Sequence, residues 1–256
     1  VNDIIYAVGD SHGMLKQVEL LKNKIKEDSK KYDGNKTIIF LGDYIDRGLK
    51  SKELINNLIY DKLEGFEEVF LMGNHEEFIL NAFADDWHHI ISWLYNGGIN
   101  CLRSYGLDVT KYVPYKDISA EYSGIPLGVE EILRPIVRDT LNNMPEKHKD
   151  FFHSLKLFHR TDKYIFVHAG VNPSIPFSDQ TSSDLLWIRE KFLYSDRDYG
   201  VRIIHGHTPR DTVEIKPNRI GVDTGAYHGG VLSAIALSDD NDPYVIDTNE
   251  LKISFE

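Results

Sequence analysis

The chain has 256 residues, 41% of them hydrophobic, with 40 acidic against 29 basic side chains and a formal net charge of −11. That length and apolar share suit one α/β domain spanning residues 1–256, and the scattered Lys and Arg form no basic stripe, so nucleic acid is not an expected partner. No apolar run approaches the roughly 18 residues of a membrane span, and VNDIIYAVGDSHG lacks the basic flank and long apolar core of a secretion signal, so the expectation is a cytoplasmic chain with no membrane partner.

In chain order, Ile4 to Val8 reads as a buried strand and ends in GDSHG. Leu15, Val18, Leu20, Leu21 and Ile25 follow at helical spacing. Thr37 to Leu41 predicts a second strand, ending in GDYIDRG, and Leu54, Ile55, Leu58 and Ile59 a second helix. Val69 to Met72 predicts a third strand, ending in GNHEE. From Glu76 to about Asp150 helical spacing dominates, with breaks expected at Asn96-Gly97-Gly98, at Ser123-Gly124-Ile125-Pro126 and at Pro135. This stretch reads as a helical insertion or cap beside the site mouth. Strands are expected again at Tyr164 to Val167, before HAG, and at Val201 to Ile204, before HGHT. Ile220 to Asp223 and Gly230 to Leu237 flank Thr224-Gly225-Ala226-Tyr227-His228-Gly229, and Tyr244 to Ile246 with Lys252 to Phe255 close the sheet. Such alternation predicts helices outside a layered sheet, with ligands at the carboxyl ends of the strands.

The polar clusters fall at those ends. Asp10 and His12 are two apart, a spacing that points both to one side at a strand end. Asp43 has two oxygens and can bridge two cations; Asn74 offers a neutral oxygen, and His168 and His207 each stand at a strand end. Taken singly each cluster is unremarkable: Asp46 and Arg47, for example, read as an ion pair closing a surface turn. Five such clusters in this order resemble the calcineurin-like metallophosphoesterases, whose phosphoprotein phosphatase branch carries GDxHG, GDxxDRG, GNHE, HAG and GH. The likeness covers residues 9 to 208.

The resemblance implies a four-layer αββα metallophosphoesterase sandwich with a helical insertion at about 76–150. It implies two divalent metal ions, with Asp10, His12 and Asp43 on the first and Asp43, Asn74, His168 and His207 on the second. Two such cations bring four positive charges against two from the carboxylates, leaving the centre cationic for a phosphate. About 3.5 to 4 Å apart, they could share a bridging hydroxide aimed at phosphorus. Oxygen and imidazole donors without thiolate suit Mn2+ first, with Fe or Zn as alternatives. By the same resemblance His75 is the general acid, Asp46 orients it, Arg47 grips the phosphoryl oxygens and Arg189 completes the clamp, with Arg202 and Arg210 as alternatives for that last role. Tyr227 matches a position near the metals or, equally, reads as a buried tyrosine packing between strands, and His205 is the substitute ligand for His207. Glu76 reads either as support for the site or as a first-turn acid. His88, His89, His148, His153, His159 and His228 read as solvated or packing residues.

The last motif is Gly206-His207-Thr208-Pro209 rather than the GHxH of the cyclic-nucleotide phosphodiesterase branch, and Asp46-Arg47-Gly48 belongs to the phosphatases. Cys101 is the only cysteine and is followed six positions on by Leu107, which excludes a thiolate phosphatase loop and leaves it as a buried filler. The expected substrate is a phosphorylated protein or peptide, on Ser/Thr or Tyr, as in the small bacterial-type protein phosphatases. A dinucleoside polyphosphate, cleaved by a symmetrical diadenosine tetraphosphate hydrolase, is the alternative, and a phosphate-recognising degenerate phosphatase the non-enzymatic one.

Overall fold

The computed structural model describes residues 2–113 and 128–250. Ten strands form two five-stranded sheets among the described residues. In the first sheet the strands are β1 (Ile4–Val8), β2 (Lys36–Phe40), β3 (Glu67–Phe70), β9 (Ser233–Ser238) and β10 (Tyr244–Asp247), in the order β10-β9-β1-β2-β3. The second holds β4 (Phe158–Arg160), β5 (Tyr164–Val167), β6 (Arg202–His205), β7 (Glu214–Ile215) and β8 (Arg219–Gly221), ordered β4-β5-β6-β8-β7. β1, β2 and β3 run parallel, as do β5, β6 and β8, while β9 pairs antiparallel with β1, β10 with β9, β4 with β5 and β7 with β8.

Period-two alternation sorts the side chains into layers. Ala7, Ile39, Val69 and Ile235 face Phe166, Ile204 and Ile220 across the gap between the sheets. Ile4, Tyr6, Val8, Ile38 and Phe40 face the other way, onto α1 (Leu15–Asp28) and α2 (Ser51–Tyr60). On the far side, Ile165, Val167 and Ile203 meet Leu185, Phe192 and Leu193 of two short helices, Ser182–Trp187 and Glu190–Leu193. The order is helix, sheet, sheet, helix, the four-layer sandwich expected. Leu71 bridges Lys156 in parallel, stitching the two sheets where β3 ends.

Between the two halves come α3 (Asn74–Phe83) and helices Trp87–Trp93, Ile99–Ser104, Val129–Asn142 and Glu146–Ser154. Their apolar faces, among them Ile79, Trp93, Leu102 and Leu133, join the same buried cluster as Ile4 and Ile38. The break expected at Pro135 does not occur, since helix Val129–Asn142 runs through it. Val129, Leu133, Val137 and Leu141 form its buried stripe, and the hydrogen bond that proline removes falls on the solvent side, where Pro135 is exposed. At Gly97 the chain does bend, in a π-type turn over Leu94–Gly98 where Gly97 has φ of 104°. The break expected at Ser123-Gly124-Ile125-Pro126 and the strand expected at Lys252 to Phe255 lie outside the described residues. β4 and β7, three and two residues long, were not expected; both are half-exposed edge strands with no apolar run to betray them. No described helix is long and apolar enough to cross a membrane.

Phe166 is fully buried in the gap between the sheets. Phe166→Ala is expected to cost about 3–5 kcal/mol, because a rigid sheet-on-sheet interface collapses little around the cavity. Urea unfolding of the two proteins side by side measures it.

Candidate metal centre

All the polar clusters expected from the sequence follow strands and meet at one end of the two sheets. Residues 9–13 follow β1, 42–48 follow β2, 73–76 follow β3, 168–170 follow β5 and 206–208 follow β6. Strand periodicity does not aim them, because the strands end first. His12, Asp43, Asp46, Arg47 and His207 all adopt left-handed backbone, with φ of 38°, 54°, 73°, 61° and 65°. For residues with a Cβ this is strained and persists only when neighbours hold it. Here the loops hold one another: Ser11 and His12 donate N–H to Asp43 O (3.1 and 2.8 Å), Gly13 to Tyr44 O (2.7 Å) and Gly48 to His12 O (3.1 Å).

Glu76 is the fastener underneath. Fully buried at the first turn of α3, its carboxylate accepts N–H groups from Asp43 (2.8 Å), Tyr44 (2.8 Å), Ile45 (3.3 Å) and Gly73 (2.9 Å). Burial and the Asp43 charge push its carboxyl up to about 8, and those backbone donors pull against them.

Asp43 stands at the centre. Its Oδ2 lies 3.4 Å from His12 Nε2 and 3.9 Å from His75 Nε2, and its Oδ1 lies 3.4 Å from His168 Nε2. Two donor groups, His12–Asp43–His75 and Asp43–His168–His207, each gather within 4.8 Å and share this carboxylate. Burial opposes its ionisation, but His168, His75 and His12 hold it below the usual carboxylate range.

The carbonyl partners of two imidazoles set their tautomers. His12 Nδ1–H donates to Ile45 O and His168 Nδ1–H to Leu41 O, both at 2.8 Å. Each neutral ring therefore turns an Nε2 lone pair inward. His168 Nε2 meets Asn74 Oδ1 at 2.9 Å, as well as Asp43 Oδ1, so acceptor faces acceptor. His207 Nδ1 stands 3.2 Å from the same His168 nitrogen, and its Nε2 is buried with no hydrogen-bond partner among the described residues. Electron pairs converging in a buried space need positive charge between them, and this nitrogen and oxygen donor set suits divalent cations. Burial lowers His12, His168 and His207, the last to about 2, which favours the neutral ring in all three. His75 differs. Burial works against its proton, but Asp43 and Asp46 raise it, the latter accepting from His75 Nδ1 at 2.6 Å.

Asp10 is buried with its carboxylate on the backbone N–H of His207, at 3.0 and 3.1 Å. Burial, then Asp223 and Asp43, push its carboxyl well up. Asp223 escaped the sequence reading although it closes a predicted strand; it is buried beside Asp10, and burial helps push it up to about 6. Arg47 is half-buried with its guanidinium 4.4 Å over the Tyr227 ring, which in turn stands edge-on to His12 at 4.8 Å. Arg189 is exposed at the rim, bonded to His207 O (3.2 Å) and Thr208 Oγ1 (3.1 Å). Arg202 donates to Pro217 O at the other end of β6, which removes it from the clamp candidates. His205 does not replace His207. β6 ends at His205, and the left-handed turn at His207 sends the two rings apart. His205 Nε2 faces Arg219 at 3.2 Å and its ring packs on Phe192. Trp93, which with Trp87 and Tyr95 reads from sequence as either a stacking aromatic of the helical segment or a core residue, is fully buried and donates Nε1–H to Asp46; Trp187, 37% exposed and 6.3 Å from His207 between ring centroids, went unassigned by sequence.

The model of the calcineurin-like phosphoesterase family matches residues 4–214. The bis(5'-nucleosyl)-tetraphosphatase PrpE [asymmetrical] of Oceanobacillus iheyensis is 24% identical over 253 residues, covering 89% of this chain and 86% of that protein. A crystal structure of "a putative diadenosine tetraphosphatase" superposes with a TM-score of 0.59 at 17% identity, covering 95% of this chain and 93% of that one. The cold-active protein-tyrosine phosphatase of a psychrophile Shewanella superposes with a TM-score of 0.50 at 17% identity, covering 94% and 80%. Both superpositions bear on the fold alone.

Glu76→Gln keeps the shape but turns an amide NH2 toward backbone donors. It is expected to destabilise the protein by about 1–3 kcal/mol, the cost of stranding buried N–H groups. Chemical denaturation measures that loss, and amide hydrogen exchange should quicken at Asp43, Tyr44 and Ile45.

Proposed function

This chain belongs to the calcineurin-like phosphoesterase family and is a hydrolase of that metal-dependent type, and from that premise we propose that it cleaves the phosphoanhydride chain of a dinucleoside polyphosphate. The observation that carries the reading is the Asp43 carboxylate shared between His12 and His75 on one side and His168 and His207 on the other, opening beside Arg47. Asp10, His12 and Asp43 would hold one cation and Asp43, Asn74, His168 and His207 the other, with Mn2+ the working metal. Bound there, the cations would offset phosphoryl charge and activate the attacking water.

The protein's own groups do the rest. His75 keeps its Nδ1 proton on Asp46 and offers Nε2–H to the leaving oxygen as it departs. Arg47 takes phosphoryl oxygens in its fork, and the Tyr227 face beneath it limits its freedom. Arg189, tied to the backbone of His207, presents a second guanidinium to phosphate farther along the chain. Exposed Trp187, braced by Phe78 at 5.3 Å and by its Nε1–H on Glu77 at 2.6 Å, offers a stacking surface for a base.

Support for a dinucleotide over the phosphoprotein that motif resemblance ranked first comes from the curated relatives, named as tetraphosphatases and matched over most of their length. The test is turnover by chelated, Mn2+-reconstituted protein of diadenosine tetraphosphate, a phosphotyrosine peptide and a phosphothreonine peptide. Preferential cleavage of the dinucleotide is expected, and the products separate the two modes: AMP with ATP for asymmetrical cleavage, two ADP for symmetrical. Preferential peptide turnover returns the function to protein phosphatase, and no turnover of any returns it to phosphate recognition.

His75→Ala is expected to lower kcat by about 10²–10⁴-fold on esters with poor leaving groups while metal binding, read by calorimetry, persists. Trp187→Ala should raise KM for diadenosine tetraphosphate by about 5- to 100-fold, the worth of one stacked base, and leave p-nitrophenyl phosphate nearly unaffected. Equal effects on both substrates would remove Trp187 from base recognition.

A further inference from the structure

Helix Trp87–Trp93, the π-type turn Leu94–Gly98 and helix Ile99–Ser104 form one bent segment. It touches the loop after β2 at three polar points. Trp93 Nε1–H is shared between Asp46 Oδ1 (2.9 Å) and Oδ2 (2.8 Å), deep in the interior. Gly97 O accepts from Arg47 N at 3.2 Å, and Asn100 Nδ2 donates to Arg47 O at 2.7 Å. All three fall on two adjacent residues whose left-handed backbone needs outside support.

The paired glycines follow from this closeness. A Cβ on Gly97 would lie 2.8 Å from Arg47 Cγ and 3.0 Å from its N, and one on Gly98 would lie 2.7 Å from Trp93 Cδ1. Gly97 lets the turn reach Arg47, and Gly98 lets it fold over the indole. π-type turns concentrate at functional sites because the widened turn re-aims its neighbours.

We infer that Trp93, Gly97 and Asn100 are a positioning brace with two arms, one fixing Asp46 and through it the His75 ring, the other fixing Arg47. The inference rests on the reading of His75 as proton donor and Arg47 as phosphate grip. None of the three touches substrate. Asp46 accepts from two side chains, Trp93 and His75, so the indole sets where the carboxylate presents itself to the imidazole. The backbone at Arg47 is pinned on both sides of its Cα, which aims the guanidinium.

The two arms separate kinetically. Trp93→Phe keeps the ring and removes the N–H; its kcat should fall about 10-fold more on phenyl phosphate than on p-nitrophenyl phosphate, since a good leaving group departs without a proton. Asn100→Ala and Gly97→Ala should raise KM on both substrates alike. His75→Ala run alongside keeps the two claims distinct: without leaving-group dependence in that variant the proton-donor reading fails. If His75→Ala shows the dependence and Trp93→Phe does not, the Asp46 arm is overturned. Proton NMR of the whole chain gives a readout free of turnover. The Nδ1–H resonance of His75 should move in Trp93→Phe and stay in Asn100→Ala, and an unmoved resonance in Trp93→Phe also overturns that arm. The Arg47 arm is overturned if neither Asn100→Ala nor Gly97→Ala changes KM, even should Trp93→Phe fail to fold.

Discussion

One buried carboxylate organises this molecule. Asp43 sits where the two sheets meet, with three imidazoles within 4 Å of its oxygens and its own N–H on Glu76. A charge so placed is costly unless surrounded by partners, and the three imidazoles come from three different strand ends, those of β1, β3 and β5. The fold can be understood as the scaffold that brings those ends together. Both faces of the first sheet are covered, and Leu71, just past β3, bridges Lys156, two residues before β4.

The strain is stored where the chemistry is proposed. Among the described residues, Asp85 is the one non-glycine with positive φ outside the centre. Left-handed residues there cost about 1–3 kcal/mol each, and the hydrogen bonds between the first and second loops, with the Glu76 carboxylate beneath, carry that cost. A site held this way is arranged before a ligand arrives, which is what electrostatic stabilisation of a phosphoryl group requires.

Environment, rather than residue type, divides the histidines. His12 and His168 spend their Nδ1 protons on backbone carbonyls and turn lone pairs inward. His75 spends its own on a carboxylate, which favours the charged ring instead. His205 faces Arg219 and packs behind the centre, where burial, aided by Arg219, lowers it to about 3. His148, bonded between Tyr105 and Asn56, keeps the packing role read for it.

By itself the sequence determined the layered architecture, the strands from Ile4 to Val8 and from Tyr164 to Val167, and which polar clusters would share a place. Those follow from local rules: strand periodicity, helical spacing, and polar residues just beyond apolar runs. It could not determine how the clusters face one another. Asp10 and His12 were expected to converge by strand alternation, yet β1 ends at Val8 and His12 turns in through a left-handed backbone. The same geometry separates His205 from His207. Nor could spacing reveal that Trp93, 47 residues from Asp46, donates to it, or that Glu76 ties the loop around Asp43. Tertiary structure alone decided these, because left-handed turns and buried hydrogen bonds between distant segments exist only once packing supplies what holds them.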